Sequence, residues 1–147
     1  MPVKDDKIDQ FISAMFSLTN AIESDFEHCC KICGGINKKE LMIIAFVGDN
    51  KSAKMSEIAD FLKAPLSTLT SIADKLVANK LLVRYNSDED RRVVKVALGE
   101  KGLESYKAFL TRKKSMTKKV LSHFNEKEQN TLINNINKLA AAIVDKI

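Results

Sequence analysis

The chain has 147 residues, 45% hydrophobic and 29% charged, enough for one domain that buries its own core. No stretch approaches the roughly 18 consecutive apolar residues of a membrane span, and residues 1–9 lack the apolar centre of a signal peptide, so a cytoplasmic protein is expected. The formal net charge of +5 is central: residues 1–50 are acidic on balance, whereas 51–95 and above all 101–119 are basic. That suits a polyanion-binding surface, and equally a solvated lysine-rich helix face.

Breakers are few, with two prolines and five glycines, so long helices are predicted. Ile8, Phe11, Ile12, Met15, Leu18, Ile22 and Phe26 recur at three- and four-residue steps, the stripe of an amphipathic helix that closes near Cys33-Gly34-Gly35. Asn37 with Glu40 reads as a capping box, opening a helix through Leu41, Ile44 and Phe46 to Gly48. Residues 49–54 read as a polar loop. Ser56 is placed to cap a short helix carrying Ile58, Ala59, Phe61 and Leu62.

Pro65 permits the next helix start, with the helix running to about Ala78. Its expected buried face is Leu66, Leu69, Ile72, Ala73, Leu76 and Val77. Its expected outer face is small and polar: Ser67, Thr68, Thr70, Ser71, Asp74, Lys75 and Ala78. The period then changes. Residues 81–85 and 93–98 are β-branched or aliphatic and flank a polar turn over residues 86–90, which predicts a β-hairpin. Two further helices follow Gly102, the last striped by Leu132, Ile136, Leu139, Ile143 and Ile147.

Three helices followed by a two-stranded hairpin form a winged helix, a mainly α fold with a small β wing. Its second helix-turn-helix helix enters the major groove and the hairpin reaches the flanking backbone or minor groove. Short hydroxyl side chains at Ser67, Thr68, Thr70 and Ser71, with Lys75 a turn later, suit phosphates and base edges. Arg91 and Arg92 at the hairpin tip carry the group favoured in a narrow, electronegative minor groove. Either element alone is as readily a solvated surface; their order together favours DNA.

Residues 37–102 resemble the MarR family of winged-helix regulators. Met55-Ser56-Glu57-Ile58-Ala59-Asp60-Phe61-Leu62 is similar to the helix before the turn. Ser67-Thr68-Leu69-Thr70 and Ala73-Asp74-Lys75-Leu76 are similar to the recognition helix, and Leu81-Leu82-Val83-Arg84 to the first wing strand. The most specific match is Asp90-Arg91-Arg92 followed by a strand and Leu98-Gly99-Glu100-Lys101-Gly102. The resemblance implies a single domain over residues 1–147, with a DNA-binding lobe at 37–99 and dimerisation helices at 1–33 and 100–147. It implies a homodimer on a palindromic operator, usually a repressor released by a small-molecule ligand or an oxidant. Ser67, Thr68, Thr70 and Lys75 would meet the major groove and backbone; Asp90 would orient the wing while Arg91 or Arg92 enters the minor groove. A ligand pocket would lie where the first, second and fifth helices meet the winged lobe, with Met15, Phe16 and Phe46 as candidate lining residues. The chain departs from the family at three places. Ser71 stands where arginine is common, Asn79-Lys80 replaces Lys-Gly, and Gly99 replaces a capping threonine. Asn79 is expected to take the left-handed turn.

The apolar stripes at the two ends of the chain favour a dimer independently, against packing on each other within one monomer. Cys29, Cys30 and Cys33 cluster at the end of the first helix. They read as buried small hydrophobes, as a redox pair (Cys30 and Cys33, with His28 and Lys31 favouring thiolate), or as a poor metal cage. No phosphate-binding glycine loop and no nucleophile–base pair accompanies His28 or His123, so neither an enzyme nor a cofactor or metal site is expected. Asp88-Glu89-Asp90 reads as a solvated turn. The rival function is a winged-helix protein–protein interaction module without DNA readout.

Overall fold

The structure, a computed structural model, describes residues 1–145. Ile147, expected in the final stripe, lies outside the described residues. The elements are α1 (Asp5–Ile32), α2 (Lys38–Asn50), β1 (Ser52–Lys54), α3 (Met55–Leu62), α4 (Leu66–Ala78), β2 (Leu82–Asn86), β3 (Val94–Leu98), α5 (Glu100–Leu121) and α6 (Glu126–Val144). They form two compact units, Met1–Phe109 and Leu110–Ile147. No helix among the described residues is long and apolar enough to cross a membrane.

In the first unit the core is made by Ile43, Ile44 and Val47 of α2, Ile58 of α3, Leu69, Ala73 and Leu76 of α4, and Leu82 and Val96 of the strands. The helical periodicity in the sequence marked most of these residues. It marked Leu66 wrongly: this side chain is 54% exposed. Leu66 is the first residue of α4, where a side chain that the apolar period assigns to the core can lie beyond the core's end and stand in solvent. Asn37 accepts a hydrogen bond from the Glu40 backbone N–H at 2.9 Å and so caps α2 as expected. Ser56 does not cap α3. The extended Lys54 holds that position without a side-chain bond, and the helix starts at Met55.

The segment expected as a polar loop contains a third strand. β1 pairs antiparallel with β3, giving the sheet order β1-β3-β2, with Ser52 opposite Ala97 and Ala53 opposite Val96. Three residues with one buried alanine are too short for a period to show in sequence. Lys51, at φ 65°, makes the turn into it.

The turn after α4 also differs from expectation. Asn79 has φ −91°, and the left-handed residue is Lys80 at φ 63°. This turn docks the start of α5: the Gly99 N–H donates to Leu81 O at 3.0 Å and the Lys101 N–H to Lys80 O at 3.2 Å. A carbonyl from the α4–β2 turn thus serves a first-turn N–H that a threonine side chain at position 99 could have capped. Glycine at 99 is what allows the approach, since a Cβ there would overlap Lys80 O.

α1 leaves Ile8, Phe11, Ile12, Phe16, Leu18 and Ile22 largely exposed, and only its end is buried, at Cys29. In the second unit Asn125 and Glu128 form a reciprocal capping box at the start of α6, each bond 2.9 Å. Gln129 Nε2 donates to Leu121 O and Phe124 O, satisfying carbonyls at the end of α5. No residue of α6 is buried, and Ile133, Ile136, Ile143 and Val144 face solvent.

Candidate nucleic-acid interface

Ser67, Thr68, Thr70 and Ser71 are all exposed on α4, opposite the buried Leu69, Ala73 and Leu76. They are not equivalent. Thr70 Oγ1 donates back to Leu66 O at 2.8 Å and Ser71 Oγ to Ser67 O at 3.3 Å. A hydroxyl has one hydrogen, so these two are left as acceptors only. Ser67 and Thr68 make no hydroxyl hydrogen bond to the described residues. They sit in the first turn, where backbone N–H groups lack intrahelical acceptors and Pro65 offers no side-chain cap. This is the end of α4 that suits a phosphate.

Both flanks of the outer face are tied down by ion pairs that sequence reasoning missed. Asp74 Oδ1 pairs with Arg84 of β2, linking the helix to the base of the hairpin. Lys75 Nζ lies 3.3 Å from Glu40 Oε1 of α2; the carboxylate side chain is 6% exposed and the lysine 63%. The spacing of residues 40 and 75 carries no signal in one sequence, because only the tertiary fold brings them together. Lys75 also borders a cavity of about 670 Å³ with Glu40, Asn79, Lys101 and Glu104.

At the hairpin tip Asp90 organises the turn. Its Oδ1 accepts from the Arg92 backbone N–H at 3.0 Å and from Nε at 3.2 Å, and Oδ2 accepts from Nη2 at 3.3 Å. These bonds, the side-chain one foremost, hold the Asp90 carboxyl below its ordinary pKa. Asn86 Nδ2 donates to Arg91 O at 2.6 Å, and the Ser87 N–H to Val93 O at 2.9 Å. Arg92 is therefore oriented while remaining 91% exposed. The Arg91 guanidinium is exposed and unpaired among the described residues. The tip projects two cations, one braced and one loose.

The other candidate residues fare differently. Phe46 stacks on Phe61 with ring centroids 4.6 Å apart, Met15 is half-buried on α1, and Phe16 is 69% exposed. None of the three lines the cavity beside Lys75. Cys29 and Cys33 are buried; Cys33 Sγ donates to Ser105 O at 3.4 Å, and Ser105 Oγ returns a bond to Cys33 O at 3.0 Å. Burial above all, then the neighbouring thiols, pushes Cys33 up to about 11; burial and Cys29 raise Cys30 too. Of the three readings of the cluster, the redox pair with a thiolate favoured by His28 and Lys31 is thereby disfavoured, because burial raises both thiols.

Residues 36–94 match the MarR family. Among curated proteins, the HTH-type transcriptional repressor MdtR of Bacillus subtilis is 30% identical over 94 residues, which are 64% of this chain and 61% of that protein. The match thus spans less than two thirds of this relative. Among solved structures, YusO of Bacillus subtilis is 25% identical with a TM-score of 0.72, covering 96% of this chain and 99% of that one. FabT of Streptococcus pneumoniae, solved in complex with DNA, superposes with a TM-score of 0.77 at 23% identity, covering 97% and 99%. This last likeness is one of fold.

Proposed function

Because residues 36–94 match the MarR family, we propose that the chain is a transcriptional regulator of that family, most simply a repressor, that binds double-stranded DNA as a homodimer. The observation that carries this reading is the pairing of an exposed, uncapped start of α4 with a hairpin tip that displays Arg91 and a braced Arg92. Ser67, Thr68 and the first-turn N–H groups would hold phosphates, and the arginines would enter the minor groove beside them. Lys75 would reach a phosphate only by sharing or leaving Glu40. FabT, of the same fold, was solved in complex with DNA, which supports DNA as the partner. The test is retention of duplex from a random pool at moderate salt. Recovery of enriched duplexes is expected; a pool that passes unretained would favour the interaction-module reading.

The partner of the exposed apolar faces is a second copy of the chain. Ile133, Ile136 and Ile143 leave an apolar face on α6, and Phe11, Ile12 and Phe16 leave on α1 an apolar surface of a kind that a monomer seldom keeps in water. Phe16→Asp places a charge in that surface and is expected to leave a species of 16.4 kDa in sedimentation, where the parent protein runs at twice that mass. A parent protein that sediments as the monomer contradicts the dimer. An effector, if one releases DNA, would act at the cavity beside Lys75 and Glu40, whose volume is in the usual range for small molecules.

A further inference from the structure

The outer face of α4 lacks the groups that read purines by paired hydrogen bonds. Adenine is read by the amide of Asn or Gln and guanine by Arg or Lys, and the exposed residues of this helix are Leu66, Ser67, Thr68, Thr70, Ser71, Asp74, Lys75 and Ala78. Its one lysine is paired with Glu40 and its one carboxylate with Arg84. The hydroxyl hydrogens of Thr70 and Ser71 are spent on the helix's own carbonyls. What Thr70 retains for a groove is an accepting oxygen and a methyl group. Beside it at the tip of the helix stands Leu66, 54% exposed although the apolar period assigned it to the core.

Resting on the DNA-binding reading, we propose that α4 selects its half-site through thymine methyl groups, with Leu66 as the specificity-determining residue and the Thr70 methyl beside it. A leucine side chain projecting from the first position of a groove-bound helix meets the major-groove edge, where the thymine 5-methyl is the one apolar group on offer. The free hydroxyls of Ser67 and Thr68 serve the backbone and set the depth of the helix. The half-site so read is thymine-rich, and its discrimination comes from surface burial.

The test uses the full-length protein and a duplex that it has itself enriched from a random pool. Each half-site thymine is replaced in turn by deoxyuridine, which removes only the 5-methyl, and each purine by its 7-deaza analogue, which removes only the N7 acceptor. Deoxyuridine at one or two positions is expected to weaken binding about fourfold each, the effect of uncovering one methyl-sized group, while 7-deazapurines change it little. Leu66→Ser, at an exposed position, should keep the parent's melting temperature and mass yet lose the discrimination between thymine and deoxyuridine at the most methyl-sensitive position of the half-site. Indifference of the parent protein to deoxyuridine throughout the half-site, or a larger loss on 7-deazapurine substitution, overturns the proposal and leaves DNA binding standing. If no duplex is enriched at all, both fall.

Discussion

Replacing both hairpin-tip arginines, Arg91→Ala with Arg92→Ala, is expected to weaken binding to an enriched duplex at least about 100-fold, since each arginine placed in a groove is worth roughly 1–3 kcal/mol and a dimer loses four. The fold should not suffer. Arg92 is 91% exposed and, among the described residues, is ion-paired only with Asp90 on the same turn, while the Arg91 guanidinium has no partner among them. The double variant should therefore keep the parent's melting temperature and sedimentation. Affinity unchanged within threefold, measured by fluorescence anisotropy, removes the wing from the mechanism. Asp90→Ala separates bracing from charge. It leaves both cations in place but frees Arg92, so a smaller loss is expected, carried by the less ordered side chain.

The second large effect is on stability. Gly102→Ala is expected to destabilise the protein by about 3 kcal/mol or more, from the overpacking of a site that has no room. A Cβ at this position would overlap the carbonyl oxygen of Leu81, a backbone atom that cannot rotate away. Leu81 O already accepts from the Gly99 N–H, and the adjoining Lys80 is in the left-handed conformation. To relieve the clash, α5 would have to lift off the turn that leads into β2. Chemical denaturation would show the loss as a lower midpoint at unchanged slope. A variant within 0.5 kcal/mol of the parent means that the turn yields easily. The Gly99 and Gly102 of the sequence motif are thus explained by packing, not by DNA contact.

Much of this architecture was legible because its elements are long or strongly patterned. The α1 stripe, the Asn37 cap and the hairpin around residues 86–90 each follow from local chemistry that one sequence displays. What was missed depends on tertiary neighbours. β1 is three residues long and exists because β3 has a free edge. Lys80 takes the left-handed position expected of Asn79, in the turn where both Lys80 O and Leu81 O receive α5. Within the candidate site the expected side chains are exposed on α4 and at the hairpin tip, but their hydrogen bonding is not what the sequence displays. Thr70 and Ser71 bond inward, a rotamer choice invisible in sequence, and Lys75 is engaged by a carboxylate 35 positions away. Leu66 shows the limit of periodicity at a helix end, where an apolar azimuth need not mean burial.

Salt titration of DNA binding tests the joint grip of α4 and the hairpin tip most directly. For the parent protein on an enriched duplex, the logarithm of affinity should fall linearly with the logarithm of salt concentration, by about 0.9 per phosphate neutralised and by at least about 4 for a dimer engaging helix and wing on both half-sites. The Arg91→Ala, Arg92→Ala double variant should give a visibly shallower line. A flat response of the parent protein, or parallel lines for the two proteins, would contradict the claim that α4 and the arginine tip grip one duplex together.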